Sequence, residues 1–195
     1  FYSSTTATTS SAGGVAGWEE YTKIQLGENG TAQPQTLDTY LKHDAGGTSV
    51  YVPAATTRYR SSGGTDAQAT AFSYTWQGST HLVESMTISY PTVSSSQNGP
   101  GSADSEVLYF DSYGRITFTK DADGFINATE YDNFTGAITK TILDVNTTTA
   151  TNEPSGWTTP SGGGQHLTTT IRVDALGRPT KIEDPNTGSD SKDSY

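Results

Sequence analysis

Residues 110–138 read FDSYGRITFTKDADGFINATEYDNFTGAI, and this stretch decides the fold class. Ile116 and Phe118 alternate with Thr117 and Thr119, so two large apolar side chains share one face and two threonines the other. Alternation with period two marks a half-buried strand. Turn chemistry stops the run on both sides, at Ser112-Tyr113-Gly114 before it and at Asp123-Gly124 after it. A glycine reaches a positive φ without strain, and a preceding Asp bonds its own backbone across the turn.

The same grammar extends in both directions. Phe72, Tyr74 and Trp76 alternate with Ser73 and Thr75, and Met86, Ile88 and Tyr90 with Thr87 and Ser89. Turns are expected at residues 28–30, 44–47, 61–64, 76–78, 98–101, 135–136, 161–164, 176–177 and 186–188, each with a glycine. Short strands between such turns predict an all-β architecture. Residues 94–106 and 146–164 are Ser/Thr/Gly/Pro-rich loops, the second long for a compact domain and thus either functional or loosely ordered. Residues 1–17, FYSSTTATTSSAGGVAG, read as a polar N-terminal arm, either a free tail or a strand offered to a neighbouring sheet. Residues 18–195 show no domain boundary.

Composition agrees. Ser and Thr make up 56 of 195 residues, while Leu, Ile, Val and Phe total 30, which predicts a thin core. Twenty aromatics and a charged fraction of 16% argue against a disordered chain. The formal net charge of −10 leaves no basic stripe for phosphates, so neither nucleic-acid binding nor attraction to anionic membranes is expected. No apolar run approaches a membrane span, so no insertion is expected. With no cysteine there is neither a disulfide framework nor a thiolate metal site. The sequence starts Phe1-Tyr2-Ser3 without a Met, as expected of a trimmed chain or an internal piece of a longer one.

Three segments share one layout: Phe110-Asp111-Ser112-Tyr113-Gly114-Arg115-Ile116, Tyr131-Asp132-Asn133-Phe134-Thr135-Gly136-Ala137-Ile138, and Val173-Asp174-Ala175-Leu176-Gly177-Arg178-Pro179. Each is a large apolar residue, an Asp, a short turn, a Gly and a new strand. The Asp-to-Asp separations are 21 and 42 residues, one and two periods of stacked supersecondary units. Asp111, Asp132 and Asp174 are expected to hold the turns, and Gly114, Gly136 and Gly177 to take left-handed backbone. Arg115 and Arg178 should pair with carboxylates.

These segments resemble the YD-repeat, or RHS-repeat, family, whose signature is Tyr-Asp-x-x-Gly-Arg-Leu/Ile. The resemblance is clearest over residues 105–188; Pro179 and Ala137 depart from it. It implies antiparallel hairpin repeats stacked into an extended or spiralling sheet. It also implies an extracellular or cell-surface structural role, as a self-assembling fibre or shell or as part of a giant protein, rather than catalysis. The expected partners are further copies of the chain or further repeats of a longer one.

Other chemistries find less purchase. Residues 119–130 mimic an EF-hand loop through Asp121, Asp123 and Glu130, but Thr119 stands where the first Asp belongs and the flanks read as strands. No metal or other cofactor is expected. His43, His81 and His166 are far apart in sequence and lack ligand spacing. No GxSxG elbow exists, and acids concentrated in turns are the expectation over a glycosidase pair. Trp18, Trp76, Trp157 and eleven tyrosines either pack the core or form a platform for carbohydrate. Asn29, Asn127, Asn133 and Asn146 head Asn-x-Thr triplets.

Overall fold

Antiparallel strands account for nearly all regular structure in the computed structural model, which describes residues 1–25, 27–61 and 66–185. Among them the only helix is one 3-10 turn, Ser95–Gln97. The chain falls into two compact units, Phe1–Ser105 and Glu106–Tyr195. The Ser/Gly/Pro-rich residues 90–104 contribute no strand and form the end of the first unit.

The first unit contains β1 (Tyr21–Ile24), β2 (Gln33–Ala45), β3 (Thr48–Tyr59), β4 (Ala67–Trp76) and β5 (Val83–Ser89), each antiparallel to the next. β2 and β3 are joined by Gly46 and Gly47 alone, with φ of 55° and 78°. Two successive positive φ values suit the tight hairpin whose twist matches its strands. In β4, Phe72, Tyr74 and Trp76 are half-buried while Ala71, Ser73 and Thr75 are exposed, the alternation their spacing predicts.

Residues 1–18 do not form a free tail, nor an arm held out to another chain. They fold back on themselves through Thr6 N–H to Gly14 O and Tyr2 N–H to Trp18 O, at 2.9 and 3.0 Å. Gly13 and Tyr40 then exchange both backbone hydrogen bonds, and Lys42 N–H donates to Thr8 O. The cause is a mismatch of lengths. β2 has 13 residues and β1 only four, so the far end of the β2 edge needs another partner. The Tyr2 hydroxyl donates to Asp38 O at 2.7 Å, and Ala7 and Val15 are buried.

The second unit contains β6 (Ser105–Phe110), β7 (Ile116–Lys120), β8 (Ile126–Tyr131), β9 (Ile138–Leu143), β10 (Leu167–Val173) and β11 (Pro179–Glu183), again in chain order and antiparallel. Its core is small: Ile126, Ala128, Ile142 and Val145, with Phe118, Ala150 and Trp157 packed against them. Val145, Ala150 and Trp157 come from the 144–166 connection, so that loop is an ordered cover over one sheet face. Asp144 anchors it by accepting Gly164 and Gln165 N–H at 2.7 and 2.9 Å, and Thr147 and Thr159 bond each other's backbone N–H. The expected turns at residues 62–64 and 186–188 lie outside the described residues.

Candidate functional site

The residues singled out by the repeat lie in the hairpin turns of the second unit. Asp111 Oδ1 accepts the N–H groups of Tyr113 and Arg115 at 2.9 and 3.0 Å. Its Oδ2 takes Arg115 Nε at 2.7 Å and Nη2 at 2.6 Å. Asp174 repeats this with Leu176 and Arg178: both N–H groups at 2.9 Å, and Nε and Nη2 at 2.7 Å. In both turns the guanidinium makes a charge-assisted contact with one carboxylate oxygen while the other oxygen holds the backbone. Gly114 and Gly177 sit at φ 76° and 78°. Asp132 holds a turn one residue longer, accepting Phe134 N–H, Thr135 N–H and the Thr135 hydroxyl, with Gly136 at φ 73°.

A further turn shares the backbone of the first and third. Asp121 Oδ1 accepts Asp123 and Phe125 N–H at 3.1 and 2.8 Å. Asp121, a residue of the EF-hand-like loop, thus holds its own turn through one carboxylate oxygen. Glu130 is mid-strand, paired with Lys140 at 2.8 Å. Among the described residues no three His, Asp or Glu side chains group to hold a metal.

The strand order explains the spacings. Connections alternate between the two edges of the sheet, so the Asp111, Asp132 and Asp174 turns share one edge and Asp121 and Asp144 lie on the other. Only one hairpin, β9–β10, separates Asp132 from Asp174. The separation of 42 residues is therefore one repeat lengthened by the 144–166 cover, not two repeats as the sequence suggested. Neighbouring same-edge turns touch: Arg115 Nη1 donates to Asp132 O at 3.4 Å, with the guanidinium over the Tyr131 and Tyr113 rings at 4.5 and 4.9 Å.

The sequence reading missed one recurring part. In each same-edge hairpin the register shifts just before the Asp, between Tyr109 and Phe110, Glu130 and Tyr131, and Arg172 and Val173. The unpaired residue on the returning strand is Thr117, Thr139 or Thr180, and its hydroxyl donates to Tyr109 O, Glu130 O or Arg172 O at 3.3, 3.3 and 3.1 Å. A bulge disrupts the ladder locally, and each threonine hydroxyl adds a bond across it. The signal was legible as a Thr six residues after Asp111 and Asp174, and seven after Asp132 in its longer turn.

The carboxyls of Asp111, Asp132, Asp144 and Asp174 titrate low. Burial pushes Asp111 up, but Arg115 N–H, the Arg115 guanidinium and Tyr113 N–H outweigh it and hold the group below the ordinary range. Arg178 N–H and guanidinium lower Asp174, Thr135 N–H and hydroxyl lower Asp132, and Gln165 and Gly164 N–H lower Asp144. Hydrogen bonds to the charged form stabilise it.

Elsewhere the fold gathers residues that are distant in sequence. His43 stacks on Trp76 with centroids 3.7 Å apart and meets His81 edge-on at 5.5 Å. Thr80 O receives the His43 Nε2 proton at 2.8 Å. Trp18 packs edge-on against Tyr40, and Trp157 against Phe118, so all three tryptophans make ring contacts, with Trp18 partly exposed. In the second unit a cleft of about 570 Å³ lies between the sheet and its cover, with Phe118, Ala128 and Ile142 below and Glu130, Lys140 and His166 around it. Of the glycosylation triplets, Asn127 and Asn146 use their side-chain oxygens on Asp144 N–H and Thr148, while Asn29 and Asn133 are exposed.

No protein-family model matches the chain, and no curated protein matches it in sequence.

Proposed function

We propose that the chain is a non-catalytic structural β-scaffold of YD-repeat type, working outside the cell or at its surface. It assembles with copies of itself into a fibre or shell, or contributes its hairpins to a much longer polypeptide. One observation carries this reading. Three same-edge hairpins of the second unit repeat the same bulge, threonine, Asp and Gly, and each turn rests on the next. Turn-to-turn stacking of identical parts is how a repeat protein propagates order along one direction. The recurring Asp, Gly and Thr residues are engaged in holding backbone, and the two arginines in pairing with the turn carboxylates. Negative-stain imaging of the full chain at high concentration tests the proposal: regular rods or shells support self-assembly, and featureless monomers at every concentration refute it and leave only the longer polypeptide.

A second reading is carbohydrate binding. It draws on the cleft, whose apolar floor and paired Glu130–Lys140 rim suit a neutral polyhydroxylated ring better than a charged ligand. It also draws on exposed aromatics, Trp18 in the first unit and Tyr113 in the second. A glycan array separates the readings, since the scaffold needs no sugar.

A further inference from the structure

The same-edge turns carry one more common feature. Two residues after each Asp stands a large apolar side chain in open water: Tyr113 is 71% exposed, Phe134 98% and Leu176 75%. The turn itself does not call for it. Only the backbone N–H of that residue bonds to the Asp. Asp123 holds the equivalent place in the Asp121 turn on the opposite edge, with the same backbone bonds. A polar side chain therefore fits, and turn tips ordinarily carry one. Successive same-edge turns are two strands apart, roughly 10 Å, so the three side chains form a regular row.

We propose that this row is a self-association surface, docking against the same row of a second copy of the chain. The inference rests on the scaffold reading and names the surface that assembly would use. Charge selects the occupant. With a net charge of −10, copies repel one another over most approaches. At this edge Asp111 and Asp174 are each neutralised by their own arginine, and Arg115 lies beside Asp132. With two guanidiniums for three turn carboxylates, the row is an apolar strip that carries one net negative charge. A basic partner finds little net charge to attract it there, and a second copy meets its least repulsion. Three such side chains offer roughly 500 Å² per copy, below the roughly 800 Å² per partner of a standard interface. One pair of rows therefore associates weakly, and linking several strengthens the contact without new chemistry.

Sedimentation of the full chain over about three decades of concentration, up to about 1 mM, tests this against the triple variant Tyr113→Ser, Phe134→Ser, Leu176→Ser. All three positions are at exposed tips and only Tyr113 makes a ring contact, with Arg115, so melting should change little and an intact cooperative transition confirms that the variant folds. The expected result is reversible self-association of the full chain, weakened at least roughly tenfold in the variant. If both associate equally, the row is not the surface, while the scaffold reading stands. If the full chain stays monomeric throughout, self-assembly fails and the row with it. If the variant instead loses binding to a neutral oligosaccharide while its self-association is unchanged, the row belongs to carbohydrate and the proposal is overturned.

Discussion

Thr117 and Thr139 occupy the same station in successive same-edge hairpins: each is the unpaired residue of a bulge, and each donates its hydroxyl at 3.3 Å to the carbonyl two residues before the turn Asp. That hydroxyl adds a cross-strand hydrogen bond at the bulge, and a valine removes it. Thr117→Val and Thr139→Val should each lower unfolding stability by about 0.5–1.5 kcal/mol. Thr119→Val, in a regular part of the same strand, should change it by less than about 0.5 kcal/mol. Urea unfolding of the three variants checks the contrast, and equal effects at all three positions would remove the bulge threonines from the stability argument.

Gly114 and Gly177 have nearly the same φ but different surroundings. A methyl at Gly114 meets nothing within 4 Å, whereas one at Gly177 would come within 2.9 Å of Thr135 Cβ and 3.3 Å of Ala137 Cβ. Gly114→Ala should therefore cost only the left-handed strain, about 1–2 kcal/mol. Gly177→Ala should cost more, because the turn must also move off its neighbour. Thermal melting of both variants orders them, and the reverse order would mean that the two turns are not in contact in solution.

The four depressed carboxyls give a pH dependence of definite sign. Their folded pKa values lie below the unfolded ones, so the stability they contribute is complete above the ordinary Asp range near 3.9 and is lost as pH falls through the folded values. Stability should fall from about pH 5 downward. A double variant, Asp111→Asn with Asp174→Asn, should be less stable at neutral pH and lose stability more gradually on acidification. Denaturant midpoints across that range measure it; parallel curves for the two proteins would contradict the assignment.

Ile126 and Val145 are the two fully buried large side chains among the described residues, and Ile126 sits at the middle of a four-residue core. Ile126→Ala should cost about 2–5 kcal/mol. With so little other apolar burial, that loss should loosen the cover as well. Trp157, packed on this core and beneath Lys120 Nζ at 4.8 Å, reports it directly: its fluorescence should shift toward that of a solvated indole. An unaltered emission spectrum would mean that the cover does not depend on the core.

Much of this was legible in the sequence because strand alternation and turn chemistry are local. Phe72-Ser73-Tyr74-Thr75-Trp76 fixes its faces within five residues, and Asp111 closes a turn on residues two and four places away. What could not be read depends on distant partners. The arm at residues 1–18 is polar and aperiodic, and only the unmatched length of β2 gives it a place. The doubled spacing from Asp132 to Asp174 looked like two repeats because a cover and a hairpin happen to add the same number of residues. The bulge threonines hid in a chain where threonine is the commonest residue, so their fixed distance from each Asp carried little contrast.

The 144–166 cover hangs from one edge of the second unit, and the turn on the opposite edge, at Asp174, still rests against its neighbour at Thr135 and Ala137. Twenty-three residues have thus been accommodated at one rim without changing the pitch of the other. The two rims answer to different rules. One must keep step, because every turn there is wedged by the next; the other is free to vary in length and content. In a lineage of such chains, novelty would accumulate on the unwedged rim, and a peptide grafted for display belongs there.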